Sequence, residues 1–257
     1  MTVEAIAVVP DDSLVGGILR YRDRQSGCTF FVAAPAAQPA LWERYLHGAL
    51  DVYRHFEVES ALEFDRIRDG RSTALFFLGF DPSGAAVAGV RMQGRYADVD
   101  QVHGVTDWAG HPGADDLRRM VADRVPDGVI EAKGAWVARD SEHRSELSAA
   151  ISRTVLHAAR LLDARYGFAT VATFTVARHR ASGAVIAEHI PAAPYPDERY
   201  RTVPIWWDIR AYQAIADPLQ YRRIRAEQHE LGLADLPTAD VRGAAGPEPE
   251  GRLKHGR

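Results

Sequence analysis

The sequence predicts an α+β fold of three layers, with helices on both faces of a mixed, mostly antiparallel, twisted sheet. Three observations support this prediction. From the second strand to the last strand, the elements follow the order β, α, α, β, β, α, β, α, β, α, β. A hairpin is evident at 72–96, and a strand at 129–138 leads into a long helix at 146–166. A hairpin and later strands interspersed with helices indicate a mixed sheet rather than a doubly wound parallel one.

The first elements are two strands and two helices. Strands are predicted at 18–24 and 28–34, because the Gln-Ser-Gly tripeptide between them is typical of a turn. A helix follows from Leu41, since its large apolar residues recur at three- and four-residue steps. The resulting buried stripe consists of Trp42, Tyr45, Leu46, Ala49, Tyr53 and Phe56. A second short helix is predicted at 60–67.

The hairpin strands at 72–80 and 85–96 are joined by Asp-Pro-Ser-Gly. Pro82 suits the first central position of the turn, and Gly84 suits the tight return. The Asp-, Gly- and His-rich segment at 97–113 is interpreted as a mobile loop in preference to a loop that covers a ligand.

The second half of the chain begins with a short helix before residue 129. In the helix at 146–166, one face is predicted to be buried, and Gly167 suits the position just past its end. The remaining prediction is a strand at 168–176, a partly helical segment at 177–190, a strand at 201–209 and a helix at 218–231. Pro204 favours an edge position or a bulge for the late strand.

Domain organisation follows from length and composition. Residues 18–232 are predicted to form one domain, which is long enough for a well-buried core. Residues 1–17 are predicted to be loosely ordered. Residues 233–257 are rich in Pro, Gly and charge and are predicted to be a disordered tail.

Composition excludes several functional classes. The net charge of −4 argues against a nucleic-acid binder. The single cysteine, Cys28, excludes an internal disulfide, and the histidine spacing indicates no metal site. No apolar run approaches the roughly 20 residues of a membrane span, and the acidic N-terminus is a poor secretory signal. A cytoplasmic location is therefore expected. The nucleophile elbow, the P-loop and the dinucleotide-binding fingerprint are all absent.

The junction between the strand at 129–138 and the helix behind it predicts an anion site. The first amides of a helix have no intrahelical partner and point outward, where they bind phosphate. Arg139, Arg144 and the amides around Ser145 are the candidate donors. The alternative is that both arginines are solvated charges near a helix start.

Three segments resemble the GNAT acyltransferase superfamily, together with the order of elements over about 28–209. They are AAVAGVRMQG at 85–94, EAKGAWVARDSEHR at 131–144 and FATVATFTV at 168–176. The chain is also similar to the branch near acyl-homoserine-lactone synthases and long-chain N-acyltransferases, through GVR at 89–91, EFD at 63–65 and Glu131. It departs from the usual cofactor signature, because the stretch after the strand contains no glycine.

The resemblance implies strands splayed at the centre of a GNAT-like sheet and an N-acyltransferase activity. The acyl group would come from acyl-CoA or an acyl-carrier protein as cosubstrate, with no tightly bound cofactor. It would pass to the amine of a small molecule or an amino acid. Amides of Trp136, Val137 and Ala138 would hold the thioester arm. The alternative is an inactive GNAT-like module for ligand binding or interaction, which the missing glycines favour.

Glu131 is the candidate general base, because a carboxylate within an apolar strand has its pKa raised by burial. The alternative places Glu131 and Lys133 together on a solvated face. Arg91 is interpreted either as a binder of a substrate carboxylate or as an edge charge.

The segment at 194–208 carries several aromatic residues and arginines. Trp206 is a candidate for the wall of an acceptor pocket, and Arg199 a candidate for binding an acid group. The alternative is aromatic packing across the sheet. Two tryptophans on an exposed edge strand would also favour a homodimer. His179 is assigned to the protein surface.

Overall fold

The computed structural model describes residues 17–233. The predictions of a loose N-terminus and a disordered tail fall on residues 1–16 and 234–257, which lie outside the described part. Within residues 17–233, no helix is both long enough and apolar enough to span a bilayer.

One mixed sheet runs through the described residues, in the strand order β1-β2-β3-β4-β5-β6-β9-β7, with β8 paired to β9. The strands are β1 Leu19–Arg22, β2 Thr29–Ala33, β3 Leu75–Phe80, β4 Ala86–Gly94, β5 Val129–Val137, β6 Tyr166–Ala172, β7 Val185–Ile186, β8 Ala193–Pro194 and β9 Arg201–Asp208. The helices are α1 Pro39–His55, α2 Phe64–Ile67, α3 His103–Asp107, α4 Ala114–Ala122, α5 Arg144–Leu161, α6 Val176–Ala181 and α7 Pro218–Glu230. The predicted α+β class, with a mostly antiparallel sheet between helices, is confirmed.

Strands β5 and β6 form the one parallel pair of the described sheet, and they separate soon after they begin. Their ladder joins only Val129–Glu131 to Tyr166–Phe168. Beyond Glu131, β5 bulges against β4, because two residues of β5 face one residue of β4. The bulge lies at Gly134, whose φ of +60° suits glycine. The predicted splay at the centre of the sheet is therefore present.

The helices cover the sheet on two sides. On one side, α5 and α7 pack on the sheet through residues that include Val90, Ile130 and Trp207. On the other side, α1 packs its predicted stripe from Trp42 to Tyr53 against β3 and Trp136. Phe56 lies past the end of α1 and is exposed, so its predicted place in the buried stripe was wrong. Gly48 in the middle of α1 makes this packing possible, because a Cβ atom there would overlap the indole of Trp136.

Strand β9 is an interior strand, and the prediction of an edge strand was wrong. It lies between β6 and β7. Trp206 and Trp207 are both buried, so the exposed-tryptophan argument for a homodimer has no basis in the structure. The carbonyl of Pro204 accepts a hydrogen bond from the amide of Ala187 at 3.0 Å. The ring nitrogen, which has no hydrogen, therefore faces the same side, and the ladder with β6 loses no donor.

Two further predictions differ from the structure. Helix α5 ends at Leu161, and Asp163, with a φ of +48°, makes the turn that had been assigned to Gly167. Gly167 lies in β6, where a side chain would overlap Val155. The segment at 97–113 is packed, since it contains α3 and the fully buried Trp108.

A buried ionic network ties α5 to α7 and to the turn after β1. Arg153 has no exposed side-chain surface and donates to both oxygens of Glu227 at 2.6–3.0 Å and to Asp23 at 2.9 Å. It also donates to Gln220 at 2.8 Å. His157 contacts the second carboxylate oxygen of Glu227 at 2.9 Å. Every charged member of this network therefore has a partner of opposite charge or a hydrogen bond.

Candidate functional site

A cavity of about 560 Å³ opens where β5 and β6 separate. It is lined from both sides of the sheet. On the α5 side its wall includes Val90, Ile151, Val155, Ala169 and Trp207; on the α1 side it includes Tyr53, Lys133, Gly134, Trp136 and Tyr195. The cavity therefore passes through the sheet, with apolar and polar side chains on both sides.

Where β5 and β6 separate, fewer main-chain amides are free to donate hydrogen bonds than the sequence predicted. The amide of Ala138 donates to the carbonyl of Val87 at 2.8 Å and is not free, so its predicted role was wrong. Successive amides of an extended strand point to opposite sides. The amide of Trp136 therefore shares the β4 side with Ala138, and that of Val137 points toward β6. Of the three amides predicted as donors, that of Val137 is the one left to face the gap between β5 and β6.

Positive charge lies at the α5 end of the cavity. Arg144 begins α5 and lines the cavity, and the helix has no side-chain cap at its N-terminus. Ser145 follows in the exposed first turn. Arg178 of α6 also lines the cavity, although no feature of the sequence points to it. Arg139 does not line the cavity. Its NH1 atom lies 3.3 Å from His55 Nδ1 at the surface.

Glu131 is the last residue of β5 that pairs with β6, and it is completely buried. Its Oε1 atom accepts the amide of Gly104 at 2.9 Å. Its Oε2 atom accepts the amide of His103 and the hydroxyl of Tyr96, both at 3.0 Å. The alternative of a solvated face was therefore wrong. The carboxylate holds the segment at 96–104 against the sheet and lies behind the lining of the cavity.

We expect Glu131→Gln to lower the free energy of unfolding by about 1–3 kcal/mol, because one buried amide would then face an NH₂ group instead of an acceptor. Denaturant titration monitored by tryptophan fluorescence measures the change. The exposed Glu142→Gln is the control and should leave stability unaltered. Equal stability of wild type and Glu131→Gln would contradict the hydrogen-bonding arrangement.

Lys133 lies two residues after Glu131 and belongs to a charged network on the α1 side. Its Nζ atom lies 2.7 Å from Asp107 Oδ2 and 4.0 Å from Glu131 Oε1. Burial and the charge of Lys133 lower the pKa of His103, which contacts Glu63 at 3.1 Å. Burial raises the pKa of Tyr195 above its usual value and that of Tyr53 to about 12. Both phenols in the wall are therefore protonated at pH 7.

Arg91 is a buried charged side chain with few hydrogen-bond partners. Its exposure is 2%, so the alternative of an edge charge was wrong. Among described residues, its side chain makes one hydrogen bond, a 3.5 Å contact from NH1 to Thr73 Oγ1, and its Nε atom has no partner. Nε lies 3.6 Å from where a Cβ atom would stand at Gly134. The guanidinium is therefore directly behind the cavity wall.

Two other residues selected from the sequence do not line the cavity. Arg199 is half exposed and already binds Asp197 at 2.9 Å and Glu57 at 3.1 Å, which leaves no free edge for a substrate acid. Trp206 packs against Phe168, with ring centroids 4.6 Å apart. Its neighbour Trp207 lines the cavity instead, because alternate residues of β9 face opposite sides of the sheet.

His179 was assigned to the surface, and that prediction was wrong. It is half-buried, lines the cavity and contacts Ser152 Oγ at 2.9 Å. The small polar residues Ser152 and Ser182 are buried beside it. The helical periodicity places Ser152 away from the buried face of α5, and that prediction was wrong, because the packing of α6 on α5 buries it.

No protein-family model matches this sequence. The uncharacterized protein Rv1356c of Mycobacterium tuberculosis is 42% identical over 218 residues, which cover 85% of this chain and 82% of that protein. The uncharacterized protein Mb1391c of Mycobacterium bovis gives the same values.

Among solved structures, FeeM, an N-acyl amino acid synthase from uncultured soil microbes, matches with a TM-score of 0.53. The sequence identity is 12%, and the match covers 71% of this chain and 92% of that chain. At this identity the likeness concerns the fold. The chain thus belongs to the same family as the two mycobacterial proteins, and its fold is that of the GNAT acyltransferases.

Proposed function

We propose that this protein is an N-acyltransferase that moves an acyl group from a thioester to the amine of a small molecule or an amino acid. One observation carries the proposal: β5 and β6 separate after Glu131, and a cavity passes through the sheet between them. A through-sheet cavity lets a donor enter from one side and an acceptor from the other. The reaction needs both to meet in a fixed geometry.

The α5 side suits the donor. Its apolar residues would accommodate an acyl chain, while Arg144, Arg178 and the uncapped amides at the start of α5 would bind phosphate groups. The amide of Val137 is placed to polarise the thioester carbonyl at the fork. Phosphopantetheine is common to coenzyme A and carrier protein, so both donors fit this arrangement. No tightly held cofactor is required.

The α1 side suits an acceptor that carries an acid group. Lys133 and the two neutral phenols of Tyr53 and Tyr195 form its wall. The guanidinium of Arg91, with one long hydrogen bond and an Nε atom without a partner, lies behind Gly134 and would gain a partner from a carboxylate. These features favour an amino acid as acceptor. The activity that the name of FeeM gives is of the same kind.

Glu131 was proposed from the sequence as the general base. Its three hydrogen bonds hold the carboxylate behind the wall, so direct contact with an amine would require it to give up those bonds. The structure favours a positioning role, in which Glu131 fixes the segment that bears His103 and Asp107.

A product assay tests the proposal. The purified protein is incubated with acetyl-, hexanoyl- and palmitoyl-CoA or the matching acyl-pantetheines, together with the proteinogenic amino acids. Mass spectrometry should detect a new amide and free thiol. Turnover with both the acyl-CoAs and the acyl-pantetheines would favour a carrier-protein donor. Turnover with the acyl-CoAs and not with the acyl-pantetheines would show that the nucleotide phosphates are recognised. No amide with any pair would contradict the proposal.

The second candidate is a GNAT-like module without catalysis, which the glycine-free stretch at 139–148 favours. Side chains there keep phosphate oxygens from the amides more than glycines would. A thermal-shift titration separates the two, because a transferase is stabilised by its thioester. A module that has lost the site should show no shift with any donor.

A further inference from the structure

One ring nitrogen of His179 is held inside the protein, and the other is open to the cavity. Nδ1 lies 2.9 Å from Ser152 Oγ. Nε2 has no hydrogen-bond partner among the described residues, and the residue lines the cavity. The ring packs edge-on against Trp207, with centroids 5.6 Å apart. The orientation of the imidazole is therefore fixed on the Nδ1 side.

The contacts of Ser152 and Ser182 determine which nitrogen carries the proton. Trp207 Nε1 donates to Ser182 Oγ at 2.9 Å, and Ser182 Oγ donates to the carbonyl of His179 at 2.8 Å. Ser182 has then used its one proton, so Ser152 must donate across their 2.7 Å contact. Ser152 has no proton left for the imidazole, which must donate to it. Nδ1 is therefore protonated, and Nε2 offers a lone pair to the cavity.

We infer that His179 is the proton acceptor of the transfer step, an inference that rests on the proposed function. As the amine nitrogen bonds to the thioester carbonyl carbon, one of its protons moves to Nε2. The carbon–sulfur bond breaks, and its electron pair stays on sulfur. Nε2 then gives the same proton to the thiolate. The products are an amide and a thiol, and no other reactant is consumed.

The surroundings of His179 keep its ring neutral, which leaves Nε2 unprotonated. Burial, reinforced by the charge of Arg178, lowers the pKa of His179 to about 3. The ring is therefore neutral at pH 7, and once protonated it readily returns the proton to a thiolate. Glu131, in contrast, has both oxygens occupied and does not line the cavity.

His179→Ala tests the inference with the same acyl-CoA and amino-acid panel. Release of thiol should fall by about 10²- to 10⁴-fold in kcat, with KM for the thioester unchanged. Added imidazole should restore part of the rate in a saturable way, which a purely structural role would not allow. The exposed His189→Ala is the matched control and should behave as wild type. Full turnover in His179→Ala would overturn the inference while leaving the proposed function intact.

A measurement without turnover completes the test. Two-bond proton–nitrogen NMR of the labelled wild type should show His179 protonated at Nδ1 and unprotonated at Nε2 at pH 7. Ser152→Ala removes the acceptor of the Nδ1 proton and should shift the tautomer toward Nε2–H. A wild-type ring protonated at Nε2 would overturn the inference. A wild type with the expected tautomer but no acyl transfer would contradict the proposed function instead.

Discussion

Replacing Arg153 by Met should lower the free energy of unfolding by about 3–5 kcal/mol, because it leaves buried carboxylates without their cation. Asp23 and Glu227 are both nearly inaccessible to solvent, and Arg153 donates to each of them. His157 would still contact Glu227, but Asp23 would lose the guanidinium. Urea denaturation at pH 7 measures the change. A loss below about 0.5 kcal/mol, the size of an ordinary surface substitution, would contradict the network.

The pH dependence gives this prediction a second check. Burial opposes ionisation of Glu227, but hydrogen bonds from His157 and Arg153 lower its pKa overall. A carboxylate with a lowered pKa stabilises the fold fully above its unfolded value and loses that contribution as the pH falls through the folded value. In Arg153→Met the unpaired carboxylates gain from protonation, so its deficit should shrink between pH 7 and pH 4. The exposed Arg222→Met on α7 is the control and should show no such trend.

Replacing Arg91 by Met should have the opposite effect on stability and should remove acceptor binding. Arg91 is as buried as Arg153 but makes one long hydrogen bond. Replacement of a buried ion pair by apolar side chains of similar volume often stabilises a protein by about 1–4 kcal/mol, and among the described residues no carboxylate paired with Arg91 would be left behind. We expect a gain within that range for the ligand-free protein, measured by urea denaturation.

The product assay measures the effect of Arg91→Met on acceptor binding. If Arg91 compensates the acid group of the acceptor, Arg91→Met should lose about 2–5 kcal/mol of acceptor binding, which corresponds to a loss of at least about 30-fold in kcat/KM. Affinity for the thioester should not change. The matched acceptor is the amide or ester of the same amino acid, on which wild type and variant should perform alike. A destabilised Arg91→Met with full activity would show that Arg91 serves the fold alone.

The order of the longer elements was read correctly from the sequence because the periodic patterns of α1 and α5 and the turn between β3 and β4 are local, whereas the short helix α3 was missed. The splay of β5 from β6 followed from the resemblance. A local signal for it also exists, since a glycine inside the strand at position 134 is typical of a bulge. Strands β7 and β8 have two residues each and offer no pattern to detect.

The site was predicted less well, for physical reasons. Whether a polar side chain faces the cavity or the core depends on tertiary packing. Glu131 was identified as unusual, but the amides that bind it come from a segment 27–28 residues earlier. His179 was placed at the surface because its partner Ser152 lies on another helix. Arg199 was expected in a pocket, yet nearby carboxylates bind it at the surface.

The proposed transfer requires that the cleft between β5 and β6 binds the thioester arm. Two neighbouring residues of α5 provide a direct test, since both are half-buried but Ser148 lines the cavity and Ala149 does not. Calorimetric titration with hexanoyl-pantetheine should give binding to wild type and to Ala149→Trp, and none to Ser148→Trp, whose indole fills the cleft. Equal affinity of all three proteins would contradict the claim, as would the absence of binding to wild type.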